Sequence, residues 1–261
     1  MSDSAPGAEL MRDLHAAERF GELLVVLQQS LVDGERETAP DRTRFFMTMF
    51  HWQMLVEQYA PARPALEEAR DEQVARLLAG ELFVGLDTDA GEGGDKFQRV
   101  RRYLLIVEMN DILGDARSTH ALFERLDAGQ PELARQYAHL ALPAVVQGGD
   151  FALADRYRGD PFSWLAEVNE SARTLPLFPS RGEPPRLSAY LRNLMGDVHI
   201  AIAVLRGLGR QAESEALRAA LLAGLETEYL RGWALRELDE PGTLIRELVA
   251  HQMAQEDTAP D

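Results

Sequence analysis

The sequence predicts an all-α protein built from antiparallel helical hairpins. Apolar residues recur every three or four positions along most of the 261-residue chain, which is the spacing of one face of an α-helix. Glycine, proline and aspartate interrupt these runs at short intervals, and no run between such turn signals alternates as a strand does. Because the connections are short, consecutive helices are expected to pack antiparallel. The alternative arrangement is an irregular helical bundle.

Four helical runs are predicted before residue 80. Apolar residues between positions 10 and 17 form one stripe, and a second apolar run ends at Gly34. These two runs are either two short helices or one helix bent at Gly21. Asp41 is expected to cap a third helix, which ends in the turn at residues 59–61. Residues 64–79 place their apolar side chains on one helical face and are predicted to form the fourth.

A glycine-rich acidic segment, residues 85–96, separates these runs from the next helix. It has no apolar periodicity and is predicted to be a mobile loop. The following helix is predicted at residues 97–113. Basic residues in its first turn oppose the helix dipole, so we expect acids of the loop to compensate them. These basic residues are Arg99, Arg101 and Arg102.

Further hairpins are predicted after residue 114. Helices are expected at residues 116–127 and 131–147, and Pro143 is expected to kink or break the second near Leu142. Two shorter helices follow, the second opened by Pro161. Three more are predicted after residue 186: 187–205, 210–230 or beyond, and one opened by Pro241.

The best candidate boundary is the segment 176–185, which contains four prolines and one glycine. Neither a helix nor a central strand tolerates this composition. The C-terminal helices are nevertheless expected to pack on the same array as the preceding hairpins. The predicted organisation is a tail at 1–7, a hairpin-repeat region at 8–175, a connection at 176–186, C-terminal helices at 187–255 and a tail at 256–261.

Two Gly-Asp turns suggest that the hairpins repeat. Gly114-Asp115 and Gly149-Asp150 are 35 residues apart, close to the 34-residue tetratricopeptide period. Residues 103–131 resemble that family at its aromatic, apolar, second aromatic and terminal proline positions, here Tyr103, Ile106, Phe123 and Pro131.

The resemblance is looser over residues 46–79 and 195–228. The best unit departs from the pattern at Val107 and Thr119, where the family has small residues. The resemblance implies helical hairpins stacked as an α-α superhelix, and its concave groove would hold a peptide or a helix of another protein.

Composition excludes several classes of function. The chain has no cysteine, so disulfide scaffolds, thiolate zinc sites and cysteine nucleophiles are excluded. Its net charge of −16 repels polyphosphate, so no nucleic-acid or membrane partner is expected. Most of this charge lies at the two ends and in the segment 81–97. With neither a secretory signal nor a membrane span expected, the predicted location is the cytoplasm.

The sequence contains none of the common motifs for metal binding, nucleophilic catalysis or phosphate binding. No histidine is preceded by glutamate three positions earlier, and no zinc-protease helix, nucleophile elbow or phosphate loop occurs. The acidic stretch 87–95 fails as a calcium-binding loop because Gly91, Glu92 and Gln98 occupy positions that need other residues. We therefore expect no metal and no cofactor.

The repeat register predicts a mixed polar and apolar binding face. Glu108 and Asp111 could act as a paired acid and base, but nothing in the sequence marks either as desolvated. The nine candidate binding residues are Phe50, Met54, Glu57, Arg101, Leu104, Glu108, Asp111, Gln136 and His139.

The predicted function is a non-enzymatic interaction module, such as an adaptor, chaperone or inhibitor, for a basic or mixed protein or peptide partner. One alternative is an all-α enzyme with its pocket between the two parts joined at residues 176–185. Another is a homo-oligomer that associates through apolar C-terminal residues, Leu244, Ile245, Leu248 and Val249.

Overall fold

The protein is all-α, as predicted. A computed structural model describes residues 6–38, 40, 42–86 and 99–257. Thirteen helices form this part of the chain, and its one β-type feature is an isolated bridge between Phe83 and Arg101. None of the described helices combines the length and apolar character needed to cross a membrane.

The helices group into two compact units, Met1–Ala144 and Val145–Asp261. The division falls between Ala144 and Val145, inside α7, whereas the best candidate boundary in the sequence was the proline-rich segment 176–185. That segment belongs to the second unit, where Leu177 is buried in the core and its carbonyl accepts a hydrogen bond from the Ser188 hydroxyl. Prolines alone therefore did not locate the boundary.

The first unit contains six complete helices and most of a seventh. Its core is built where α2, α3, α4 and α5 meet, around fully buried residues such as Trp52, Leu55 and Leu66. The helices are α1 Pro6–Ala16, α2 Phe20–Arg36, α3 Arg42–Gln58, α4 Ala62–Leu78, α5 Arg102–Leu113, α6 Ala116–Gly129 and α7 Pro131–Gln147.

Three boundaries in this unit differ from expectation. The chain turns between α1 and α2 at Glu18, whose φ is +54°, and Gly21 lies inside α2. The helix predicted to start at residue 97 starts at Arg102, because residues 99–101 run alongside residues 83–84 instead. Pro143 does not break α7, which continues to Gln147. The predicted cap Asp41 lies outside the described residues.

The two Gly-Asp turns have the predicted capping geometry. Gly114 has a left-handed φ of +66° after α5, and the Asp115 carboxylate accepts the Ser118 backbone N–H at 3.1 Å. Gly149 has a φ of +78° after α7, and Asp150 caps the next helix in the same way. The helix stops were thus correctly predicted, while the repeat family remains a proposal.

The second unit is organised around the long helix α10. Its apolar face is buried against all five other helices of the unit, with Leu194 and Val198 among the fully buried residues. The helices are α8 Phe151–Tyr157, α9 Leu165–Ser171, α10 Arg186–Gly207, α11 Gln211–Gly224, α12 Glu228–Asp239 and α13 Thr243–Asp257.

The bounds predicted from the sequence are wrong for two helices of this unit. The run predicted to continue from residue 210 through Leu230 is divided into α11 and α12, because Thr227 accepts the Leu230 backbone N–H and caps a new helix. The helix expected to open at Pro161 begins at Leu165, after a turn. In α13, Leu244 and Leu248 are buried within the unit, so only part of the predicted self-association face is exposed.

Candidate functional site

The first unit has a depression of about 370 Å³. It is formed by the start of α3, residues 99–101, the first half of α5 and one face of α7. This volume suits one or two side chains of a ligand. Its lining combines basic and apolar residues. Of the described residues, three arginines, one histidine and one glutamate supply the charged or titratable groups: Arg42, Arg99, Arg101, His139 and Glu108.

The start of α3 provides the aromatic wall. Successive residues of a helix point about 100° apart, so Phe45 faces the core while its neighbour Phe46 faces outward. Phe46 is 67% exposed, which is high for a large apolar side chain. Phe45 is buried against Gly34 of α2, where an added Cβ would lie 2.6 Å from the ring. The missing side chain at Gly34 therefore allows α3 to approach α2.

Two consecutive arginines at the start of α5 have different environments. Arg101 is exposed and lines the depression, whereas Arg102 is fully buried. Arg99 lines the same depression, and its guanidinium lies 4.4 Å from the centroid of the Phe83 ring. The extended course of residues 99–101 places Arg99 and Arg101 on the depression.

Arg99 and Arg101 form the arginine rim of the depression, and Arg102 anchors this rim to the rest of the unit. Its guanidinium donates to both carboxylate oxygens of Glu35, at 2.5 and 3.0 Å, and to the side-chain carbonyl of Gln73. It also donates to the backbone carbonyls of Glu81, at 2.8 Å, and Phe83, at 2.7 Å. The network fixes α2, α4 and the segment before α5 to one another.

Glu108 is the carboxylate of the depression, and its environment raises its pKa. Burial is the main cause, the nearby Asp111 charge adds to it, and Arg42 opposes it. The protein atoms around Asp111 also raise its pKa, although Asp111 is exposed and does not line the depression. The sequence marked neither carboxylate as desolvated, and the structure corrects that interpretation for Glu108 alone, which is partly buried.

Four of the nine predicted binding residues meet in this depression: Arg101, Leu104, Glu108 and His139. Because α3 contributes its first turn and not its later turns, the candidates further along that helix lie elsewhere. Asp111 and Gln136 do not line the depression either. The predicted residues outside it are therefore Phe50, Met54, Glu57, Asp111 and Gln136.

Sequence reasoning missed the rest of the lining. Arg99 was assigned to a helical turn, and its extended position depends on the pairing of Val84 with Val100. The available signal was the arginine cluster itself, which is unfavourable at a helix start and calls for a negative partner. The missed residues are Arg42, Phe45, Phe46, Arg99, Val100, Leu105 and Leu140. The calcium-loop comparison fell on residues 87–98, outside the described residues.

The depression thus places guanidinium groups next to an exposed aromatic and aliphatic surface. Such a site can hold a negatively charged group beside an apolar one. Comparison of the chain with protein-family models, with curated proteins and with solved structures finds no match in any of the three.

Proposed function

We propose that this protein is a non-enzymatic interaction module that holds a segment of another protein in the depression of its first unit. The observation that carries the proposal is the exposed ring of Phe46 at the edge of an arginine-lined concavity. Aromatic residues and arginine are enriched among the residues that dominate the energetics of protein interfaces, and here an exposed aromatic ring and arginines line one depression.

We also propose that the helical hairpins are of the tetratricopeptide type. The protein would act in the cytoplasm as an adaptor, chaperone or inhibitor. Tyr103 and Tyr137 support the hairpin reading, because these residues occupy equivalent positions one 34-residue period apart. Their rings stack with centroids 4.5 Å apart and an interplanar angle of 4°. The Gly-Asp turns support the same reading.

Native co-purification with matched variants tests the proposal. Phe46→Ser and Leu104→Asp alter the depression, whereas Val25→Ser alters a valine of α2 that is 63% exposed and does not line it. The expected result is one stoichiometric protein that is retained by Val25→Ser and lost with both depression variants. Equal recovery with all four proteins would contradict the proposed site.

The second candidate function is an all-α enzyme. The observation that favours it is the raised pKa of Glu108 in a depression that also contains His139, since shifted carboxyls serve as general acids. An enzyme would change the mass of a captured partner or small molecule during incubation, and Glu108→Gln would abolish that change. An interaction module would release its partner with an unaltered mass.

A further inference from the structure

We infer that the protein forms a homodimer through its second unit, in which α13 of one copy packs antiparallel on α13 of another. The contact surface is an exposed apolar row of α13, the α13 stripe, formed by Ile245, Val249 and Met253, together with a small cavity between α10 and α13. This dimer is independent of the proposed function, because the depression lies in the first unit.

The α13 stripe is a second apolar row on a helix that already has a buried one. Its three residues are spaced four apart, so the helix places them in one line. Met253 is 61% exposed, and Ile245 and Val249 are also exposed. Leu244 and Leu248 are buried in the unit. A helix that covers only its own core needs one apolar face, so the exposed row is available to another molecule.

The cavity lies at the first turn of α13 and is open on the same surface. Its volume is about 110 Å³, several times the roughly 30 Å³ of one water molecule, so it can accept one aliphatic side chain. All but two of its lining residues are apolar. They are Pro185, Ser188, Ala189, Arg192, Leu244, Ile245 and Leu248.

The stripe and the cavity are complementary to each other under a two-fold axis. Met253 lies eight residues beyond Ile245, about 12 Å along the helix from the cavity. A two-fold axis at Val249 aligns two copies of α13 antiparallel and places each Met253 at the cavity of the other copy. Methionine is flexible and fills irregular spaces well. One patch thus provides both surfaces, as a two-fold symmetric dimer requires.

Charge favours the same orientation. Arg192 lines the cavity, is exposed and forms no ion pair with another described residue. In the antiparallel pair, the C-terminal turn of the other copy's α13 lies close to this cavity. The negative end of that helix dipole would therefore face the Arg192 guanidinium. A parallel pair would bring like ends of the two dipoles together and would leave each cavity unfilled.

The area of the patch predicts a weak dimer. The helix α13 has 15 residues and is about 22 Å long, and with the adjacent side of α10 it presents a face roughly 20 Å wide. Two such faces cover about 900 Å² in projection, close to the roughly 1,000 Å² at the lower limit of specific interfaces. We therefore expect a dissociation constant in the micromolar range.

Analytical ultracentrifugation of the full-length protein from about 1 to 200 μM tests the dimer. The wild-type protein should change from monomer to dimer over this range. Met253→Asp should weaken dimerisation at least tenfold, and Arg192→Glu should weaken it severalfold. Val25→Asp, at an exposed valine of α2, is the matched control and should dimerise normally. Unchanged circular dichroism melts would show that Met253→Asp is folded, and Met253→Leu should retain the dimer.

Disulfide formation tests the orientation, because the natural chain has no cysteine. Under mild oxidation, Val249→Cys at the two-fold axis should crosslink to itself. Ile245→Cys and Met253→Cys should crosslink efficiently only when the two proteins are mixed. Efficient crosslinking of each of these two variants with itself would indicate a parallel pair and overturn the inference.

Three other outcomes would also overturn the dimer. One is a monomer at every concentration. Another is a dimer that persists in Met253→Asp but is lost in Phe46→Ser, which would place self-association at the depression. The third is a different protein that co-purifies in stoichiometric amount and is lost with Met253→Asp, which would replace the second copy as the occupant of the α13 stripe.

Discussion

The Arg102 guanidinium and the Glu35 carboxylate form a buried two-point ion pair, with nitrogen–oxygen distances of 2.5 and 3.0 Å, that joins the start of α5 to the end of α2. Arg102 is fully buried, and the Glu35 side chain is 11% exposed. Because the neighbouring Arg101 lines the depression, this ion pair positions the rim that the proposed partner contacts.

Glu35→Gln should lower the free energy of unfolding of the first unit by about 3 kcal/mol, because it removes the nearer and more buried of the two carboxylates at a buried guanidinium. The other carboxylate, Glu81, lies 3.4 Å from Arg102 and its side chain is 49% exposed. Urea denaturation followed by circular dichroism measures the effect. Glu22→Gln, which disrupts a fully exposed pair with Arg19, should change the midpoint little. Equal midpoints for the two variants would contradict the structural role of the buried pair.

The same ion pair should weaken in acid. Burial alone would raise the pKa of Glu35, but hydrogen bonds from Arg102 and Gln73 outweigh burial and hold the pKa below its ordinary value of 4.5. Its contribution to stability is therefore complete above pH 4.5 and is lost as the pH falls through the lower, folded-state pKa. Denaturation midpoints measured between pH 5 and pH 3 should fall less steeply for Glu35→Gln than for the wild-type protein.

A second pH dependence should come from His51, which is buried beside His15 with ring centroids 6.3 Å apart. Burial, and then the charge of His15, lowers the pKa of His51 below 6.5. The unfolded chain thus binds a proton first, so stability should fall as the pH drops from 6.5 toward the folded-state pKa.

His51→Leu should remove much of that loss between pH 7 and pH 5. Neither ring nitrogen of His51 has a hydrogen-bond partner among the described residues, so the apolar replacement should cost little at pH 7. His139→Gln, at an exposed histidine of the same unit, should keep the wild-type slope. If His51→Leu kept the full slope, another group would be responsible for it.

Gly34→Ala should destabilise the first unit by roughly 1–3 kcal/mol, because the new Cβ would lie 2.6 Å from the buried Phe45 ring. Gly21→Ala in the same helix meets only the Tyr59 hydroxyl at 3.5 Å, an ordinary contact, and should be neutral or slightly stabilising. Thermal melts of the two variants test the close approach of α2 and α3. Two equally stable variants would contradict it.

Local sequence signals predicted most helices but only part of the site. Gly114 and Asp115 act within one turn, so their stop-and-cap pattern could be read directly from the chain. The start of α5 could not, because Val100 pairs with Val84 and Arg102 bonds to Glu35, 67 residues earlier. These long-range contacts outweigh the helical periodicity of residues 97–101.

The site depends on the same long-range contacts. A repeat register predicted the outward face of α5, and Arg101, Leu104 and Glu108 of that face line one depression. It could not predict which turn of α3 would lie beside them. That choice depends on how α3 packs against α2 at Gly34, and it places Phe46 in the depression and Phe50 outside it.

Photocrosslinking from position 46 tests whether a partner protein occupies the depression. A benzophenone amino acid replaces Phe46 in one protein and Val25 in a second, and both are irradiated in cells. We expect a single major crosslinked partner from position 46, lost when Arg101→Glu is added, and no such product from position 25. The same products from both positions, or a position-46 product unaffected by Arg101→Glu, would contradict it.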